Sequence, residues 1–166
     1  MENLKAKTCC FTGHRDLPPL QVPLIKNRTE KIIRELYSRG VRFWGVGGAI
    51  GYDTLAAKIL FKLREEEMPD IKVILVYPFD GFTNRWTDDQ KADYNSLLPK
   101  YDKIVKVADY PSRSAYLKRD RHLADCSGYC ICCCSKNTGG TAYTVAYAKK
   151  KGLTVFNISN EQMNSI

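Results

Sequence analysis

The sequence has 166 residues, 44% of them hydrophobic and 27% charged, and a net charge of +8. One domain over residues 1–166 accounts for that length and buries about two-thirds of the surface its unfolded chain exposes. No run of about 18 apolar residues offers a membrane-spanning helix, and the opening MENLKAKTCC lacks an apolar signal core, so a cytoplasmic protein is expected.

Taken in chain order, the apolar segments alternate in type. KTCCFTG (7–13) reads as a strand. LQVPLIKNRTEKIIRELYSRG (20–40) carries Leu24, Ile25, Ile32, Ile33 and Leu36 at helical spacing, with Gly40 at the natural stop. VRFWGVGG (41–48) is a short strand running into glycines, and YDTLAAKILFKLREEE (52–67) is a helix with Leu55, Ile59, Leu60 and Leu63 on one face. IKVILVYPF (71–79) is almost continuously apolar, the pattern of a strand covered on both faces. TDDQKADYNSLLPKY (87–101) reads as a helix whose acidic first turn suits the helix dipole. DKIVKVA is a strand, SAYLKRDRHLADCS a helix and GYCICCC a strand. TAYTVAYAKKKG is a helix with lysines in its last turn and a glycine stop, and LTVFNI is a final strand. Strand and helix alternating from end to end predict an α/β fold of three layers: a mostly parallel sheet with helices on both faces. The longest irregular piece, YPFDGFTNRW (77–86), is a candidate lid.

Seven cysteines, an odd number without a secretory signal, argue against a disulfide framework. Along a strand, Cys130, Cys132 and Cys134 point one way and Cys133 the other. That is poor geometry for one metal, so the cysteines read as small buried hydrophobes and no metal site is expected.

In an open parallel sheet, ligands bind outside the carboxyl ends of the strands, where strand order reverses. Three strand ends carry unusual loops. In FTGHR, Gly13 permits a sharp turn or a close approach, Thr12 offers a hydroxyl, Arg15 a fork of donors for phosphate, and His14 an acid/base near neutral pH. In GVGGAIGYDTLAA, Gly47, Gly48 and Gly51 precede a helix. The spacing is not the G-x-G-x-x-G of dinucleotide sites, yet bare N–H groups at a helix start attract anions. Asp53 there is either an N-cap or an acceptor for ribose hydroxyls. In SKNTGGTAYTVAYA, Gly139, Gly140 and Thr141 precede a helix with Thr144 one turn in, again suited to phosphate. Pro78, at the end of the third strand, joins the candidate set, and YLKRDRHLAD contributes Arg119, Asp120 and Arg121.

FTGHR, GGAIGYDTLAA, KRDRHLADCS and NTGGTAYTVAYA, in that order from about Lys7 to Asn157, resemble the YpsA-like branch of the SLOG superfamily, named for Smf/DprA-type and LOG-type proteins. The resemblance implies a Rossmann-like fold with a pocket for a nucleotide-derived ligand. LOG-type relatives split nucleoside monophosphates, others sense nucleotide signals, and DprA-type relatives bind single-stranded DNA. LOG-type hydrolases carry a glutamate in a PGGxGTxxE pattern, whereas no carboxylate occurs here between Gly139 and Gly152. A glycosidic bond breaks through a cation-like transition state that a nearby carboxylate stabilises. Asp53, Asp120 and Asp125 are the substitutes on offer.

Binding of a nucleotide-derived small molecule, as sensor or sequestering protein, therefore ranks first, with Arg15 and Arg119 neutralising phosphate and Asp53 reading ribose. A hydrolase of an N-glycosidic or phosphoester bond ranks second, with His14 as acid/base and Asp53 or Asp120 as its partner. Single-strand nucleic-acid binding ranks third, because the basic residues are scattered and most of the 18 aromatic side chains (10 Tyr, 6 Phe, 2 Trp) fall in apolar segments. No cofactor and no membrane partner are expected. A homo-oligomer is.

Overall fold

The computed structural model describes residues 3–159. Six strands, β1 (Thr8–Gly13), β2 (Phe43–Val46), β3 (Lys72–Tyr77), β4 (Lys103–Lys106), β5 (Tyr129–Cys133) and β6 (Thr154–Asn157), form one sheet in the order β4-β3-β2-β1-β5-β6. Every pairing is parallel, so the sheet is wholly rather than mostly parallel. The crossovers carry helices α1 (Val22–Ser38), α2 (Tyr52–Glu66), α3 (Asp88–Leu97), α4 (Arg113–Asp125) and α5 (Gly140–Lys150).

The strand pleat divides the core in two. Cys9, Phe11, Ile131 and Cys133 pack under α1 and α2 against Ile33, Leu36 and Leu60, and Leu97 of α3 joins that face. Cys10, Cys130 and Cys132 face the other way, against Leu123 and Ala124 of α4 and Ala148 of α5. Alternation along a strand thus sends neighbouring cysteines to opposite layers, where they fill core space as small apolar groups. The three layers follow.

Local rules explain where the elements start and stop. α3 begins at a capping box, with Gln90 N donating to Thr87 Oγ1 (3.2 Å) and Thr87 N to Gln90 Oε1 (3.0 Å). α4 begins at Ser112, whose hydroxyl accepts from Ala115 N at 3.1 Å. α1 buries Ile25, Thr29, Ile32, Ile33 and Leu36, one stripe at helical spacing. The hydroxyl of Thr29 meets that of Tyr52 at 2.8 Å, tying α1 to the start of α2 inside the core. Gly13 ends β1 against the Tyr52 ring, in space that a Cβ would need. Among the described residues no helix is long and apolar enough to cross a membrane.

Candidate functional site

Strand order counts down from β4 to β1 and then jumps to β5, so the reversal lies between β1 and β5. Right-handed crossovers put the intervening helices on opposite faces there and leave a crevice above the two strand ends. A cavity of about 1330 Å³ opens at that place. Its walls come from the end of β1, the β3–α3 loop, α4 and the β5–α5 loop.

Of the sequence candidates, Thr12, Gly13, His14, Arg15, Asp53, Arg119, Asp120, Gly139, Gly140 and Thr141 line this cavity, and Gly47, Gly48, Gly51, Pro78 and Thr144 do not. The two glycine-rich loops therefore do different jobs. Gly51 precedes α2 with φ +83° and packs against the Arg15 carbonyl. Tyr52 N donates to His14 O at 3.1 Å, so the chain leaving β1 sits on the α2 N-terminus where an anion was expected. Gly48, at φ +74°, leaves room for Leu75, and Gly47 for the Asp53 and Arg119 side chains. These three glycines serve close packing. Pro78 is buried, and its carbonyl accepts from Ala108 N at 3.0 Å, joining the ends of β3 and β4. The Thr144 hydroxyl donates to Gly140 O (2.9 Å) and is spent inside α5.

The β5–α5 loop is open instead. Gly139 takes φ +98°, and added Cβ atoms at Gly139 and Gly140 would meet nothing within 4 Å. Among the described residues no side chain caps α5. Its first N–H groups, which lack intrahelical partners, border the cavity. His14 joins this loop to β1: its Nε2 accepts from Ser135 N at 2.9 Å. That bond needs a neutral ring protonated at Nδ1. Burial, and then the positive charge of Lys136, hold the His14 pKa below its ordinary value and keep the ring neutral.

The inner wall carries buried charge. Arg119, 6% exposed, donates from Nε to Asp120 Oδ1 (2.7 Å) and from Nη1 to Gly47 O (2.5 Å). Those two bonds fix the guanidinium in the cavity wall. Asp53 is the second residue of α2 rather than its N-cap, and its carboxylate accepts from Ala49 N at 3.3 Å. Burial raises its pKa to about 6. Arg119 opposes that shift and Asp120 reinforces it. Asp125 and Arg121, the outlying candidates, lie outside the cavity and bond instead to Tyr147 and Tyr143 of α5.

Sequence reasoning missed the aromatic wall. Phe79, Phe82, Trp86 and Tyr116 all line the cavity. Phe79 meets Tyr116 edge-on with ring centroids 5.5 Å apart, and Phe82 meets Trp86 edge-on at 5.4 Å. The segment read as a candidate lid is thus a packed wall, with Asp80 held by Tyr77 (2.8 Å) and Lys106 (3.1 Å). The density of aromatics in YPFDGFTNRW was the available signal. Three exposed cations also border the cavity, Arg15, Arg85 and Lys136, and their side chains have no partner among the described residues.

An all-parallel sheet with a cavity at its switch point, walled in part by strand-end loops, defines a Rossmann-like α/β protein. More particularly, the chain belongs to the YspA SLOG family, whose model matches residues 11–163. It is 24% identical over 136 residues to the UPF0398 protein SERP1017 of Staphylococcus epidermidis, a match covering 75% of this chain and 71% of that protein. It is 27% identical over 139 residues to the SPbeta prophage-derived protein YoqJ of Bacillus subtilis, covering 76% and 81%. Among solved structures it is similar to DNA processing protein A from Streptococcus pneumoniae, with a TM-score of 0.67 and 19% identity. That match covers 93% of this chain but spans only 50% of the pneumococcal chain. The Helicobacter pylori counterpart, whose structure addresses its single-stranded DNA binding mode, gives a TM-score of 0.64 at 17% identity, covering 97% and 73%. These structural likenesses establish the shared fold.

Proposed function

We propose that the protein binds a nucleotide or nucleotide-derived phosphorylated molecule in the crevice above β1 and β5, as a sensor or sequestering protein. One observation carries the reading. A single cavity combines the start of α5, uncapped among the described residues, three cations whose side chains have no partner among those residues, and an aromatic wall. Bare helix N–H groups and guanidinium forks suit phosphate, and aromatic faces suit a base. Asp53 and the Thr12 hydroxyl, which has no side-chain partner among the described residues, supply acceptors for ribose.

The test is thermal stability against a panel of nucleotides, cyclic nucleotides and ADP-ribose derivatives, with mass spectrometry of each mixture afterwards. A ligand at a hundred times its Kd stabilises the native state by about 2.7 kcal/mol. Gly140→Asp is the control. Its new side chain has free space, so it folds, but it places a carboxylate where phosphate is expected. A panel without any shift, or a shift unchanged by Gly140→Asp, removes the reading.

A second reading, hydrolysis of a nucleotide bond, is favoured by Asp53, a buried carboxyl bordering the cavity with its pKa raised to about 6. His14 is the weaker acid/base candidate, because its Nε2 lone pair is already committed to Ser135 N. Consumption of the ligand in the same mixtures, abolished by Asp53→Asn, would establish it. Single-stranded DNA binding, suggested by the fold neighbours, predicts an affinity that falls steeply with salt.

A further inference from the structure

Resting on the nucleotide reading above, we infer that the crevice is built for a ligand with two bases joined through phosphate, a dinucleotide unit. The cavity, about 1330 Å³, exceeds the roughly 300–1,000 Å³ typical of small-molecule sites. It also holds two aromatic pairs rather than one. Tyr116 of α4 stands edge-on to Phe79 and is 38% exposed, with the Arg119 guanidinium 6.0 Å from its ring centre. Trp86 stands edge-on to Phe82 and, at 5.7 Å, to Tyr94, and those two rings also meet edge-on at 5.5 Å, so the three form one cluster. Edge contacts hold Tyr116 on Phe79 and Trp86 on Phe82 and Tyr94, which keeps both aromatic surfaces in place before a ligand arrives.

The exposed cations also come from two places. Arg85 is the chain neighbour of Trp86, whereas Arg15 and Lys136 come from the β1 and β5–α5 loops beside the open start of α5. A mononucleotide has one base and one phosphate end. It would fill one aromatic surface and one cationic group and leave the other pair wet. Two bases bridged by phosphate would occupy both.

The experiment compares affinities of the full-length protein, by titration calorimetry, for adenosine and guanosine 5′-monophosphates, the corresponding 5′-phosphorylated dinucleotides, and a ten-residue thymidine oligonucleotide. Stacking one additional base strengthens binding by about five- to 140-fold, so at least one dinucleotide should bind tenfold or more tighter than its monophosphate. Tyr116→Ala and Trp86→Ala should each erase most of that advantage, and Tyr116→Phe should keep it. Circular dichroism and melting of both alanine variants separate loss of a platform from loss of fold. Monophosphates binding as tightly as the dinucleotides would overturn the inference and leave the nucleotide reading intact. Tight binding confined to the oligonucleotide would overturn it in favour of a strand channel. No binding by any probe would overturn the inference, while the nucleotide reading would stand or fall on the panel of cyclic nucleotides and ADP-ribose derivatives above.

Discussion

Replacing Asp53 with asparagine should make the protein more stable at neutral pH. The carboxyl is 7% exposed and titrates near 6 instead of 3.8. Between those pH values the folded protein holds the proton and the unfolded chain has lost it. Stability therefore falls as pH rises through that window, and the penalty is complete above about pH 6. Each unit of pKa corresponds to about 1.36 kcal/mol, so the ionised carboxylate costs the native state about 3 kcal/mol. Asparagine keeps an oxygen to accept from Ala49 N and removes the charge, while Arg119 retains Asp120 and the Gly47 carbonyl. Urea unfolding of both proteins from pH 4 to pH 8 measures the effect. The curves should lie close at pH 4 and separate to about 2–3 kcal/mol in favour of Asp53→Asn by pH 7. Parallel curves, or a variant less stable at pH 7, would refute the reasoning, because the attraction of Arg119 would then outweigh burial. A measured cost of that size would support the proposed reading of Asp53 as a site residue.

Gly51→Ala should destabilise by more than about 2 kcal/mol, since alanine would have to adopt φ +83° against the Arg15 carbonyl. Gly140→Ala, with open space around it, should change stability by less than about 1 kcal/mol, and equal effects in urea unfolding would contradict the division of the two loops. His14 accepts the Ser135 amide only while neutral, and its pKa is lowered in the folded state. Acidification below the unfolded value of about 6.5 should therefore cost stability and release the Ser135 amide, visible as faster hydrogen exchange after correction for pH. His14→Ala should abolish that pH step. Iodoacetamide at pH 8 should label Cys126 and, more slowly, Cys134 in the native protein, and reach Cys9, Cys10, Cys130, Cys132 and Cys133 only after unfolding, as their burial requires. Rapid native labelling of any of those five would count against the two-layer core.

The sequence by itself determined the alternation of strands and helices, because burial on both faces writes itself as continuous apolar runs such as IKVILVYPF and one-sided burial as the helical stripe of α1. It also placed the candidate site residues at strand ends, on short-range signals: glycine-rich turns and a histidine–arginine pair directly after β1. Tertiary structure alone decided which glycine loop stays open. GVGG and NTGG look alike in one dimension, but Gly47 and Gly48 of the first are packed against Arg119, Asp53 and Leu75, and among the described residues nothing lies within 4 Å of a Cβ added at Gly139 or Gly140 of the second. It decided likewise that Asp53, Arg119 and Asp120, drawn from two helices far apart in the chain, share one buried wall. The aromatic wall escaped notice for the same reason. Whether Phe82, Trp86 and Tyr116 fill a core or border a cavity depends on the crossover that sets α4 beside the β3–α3 loop, and such a long-range contact leaves no periodic trace in the residues that make it.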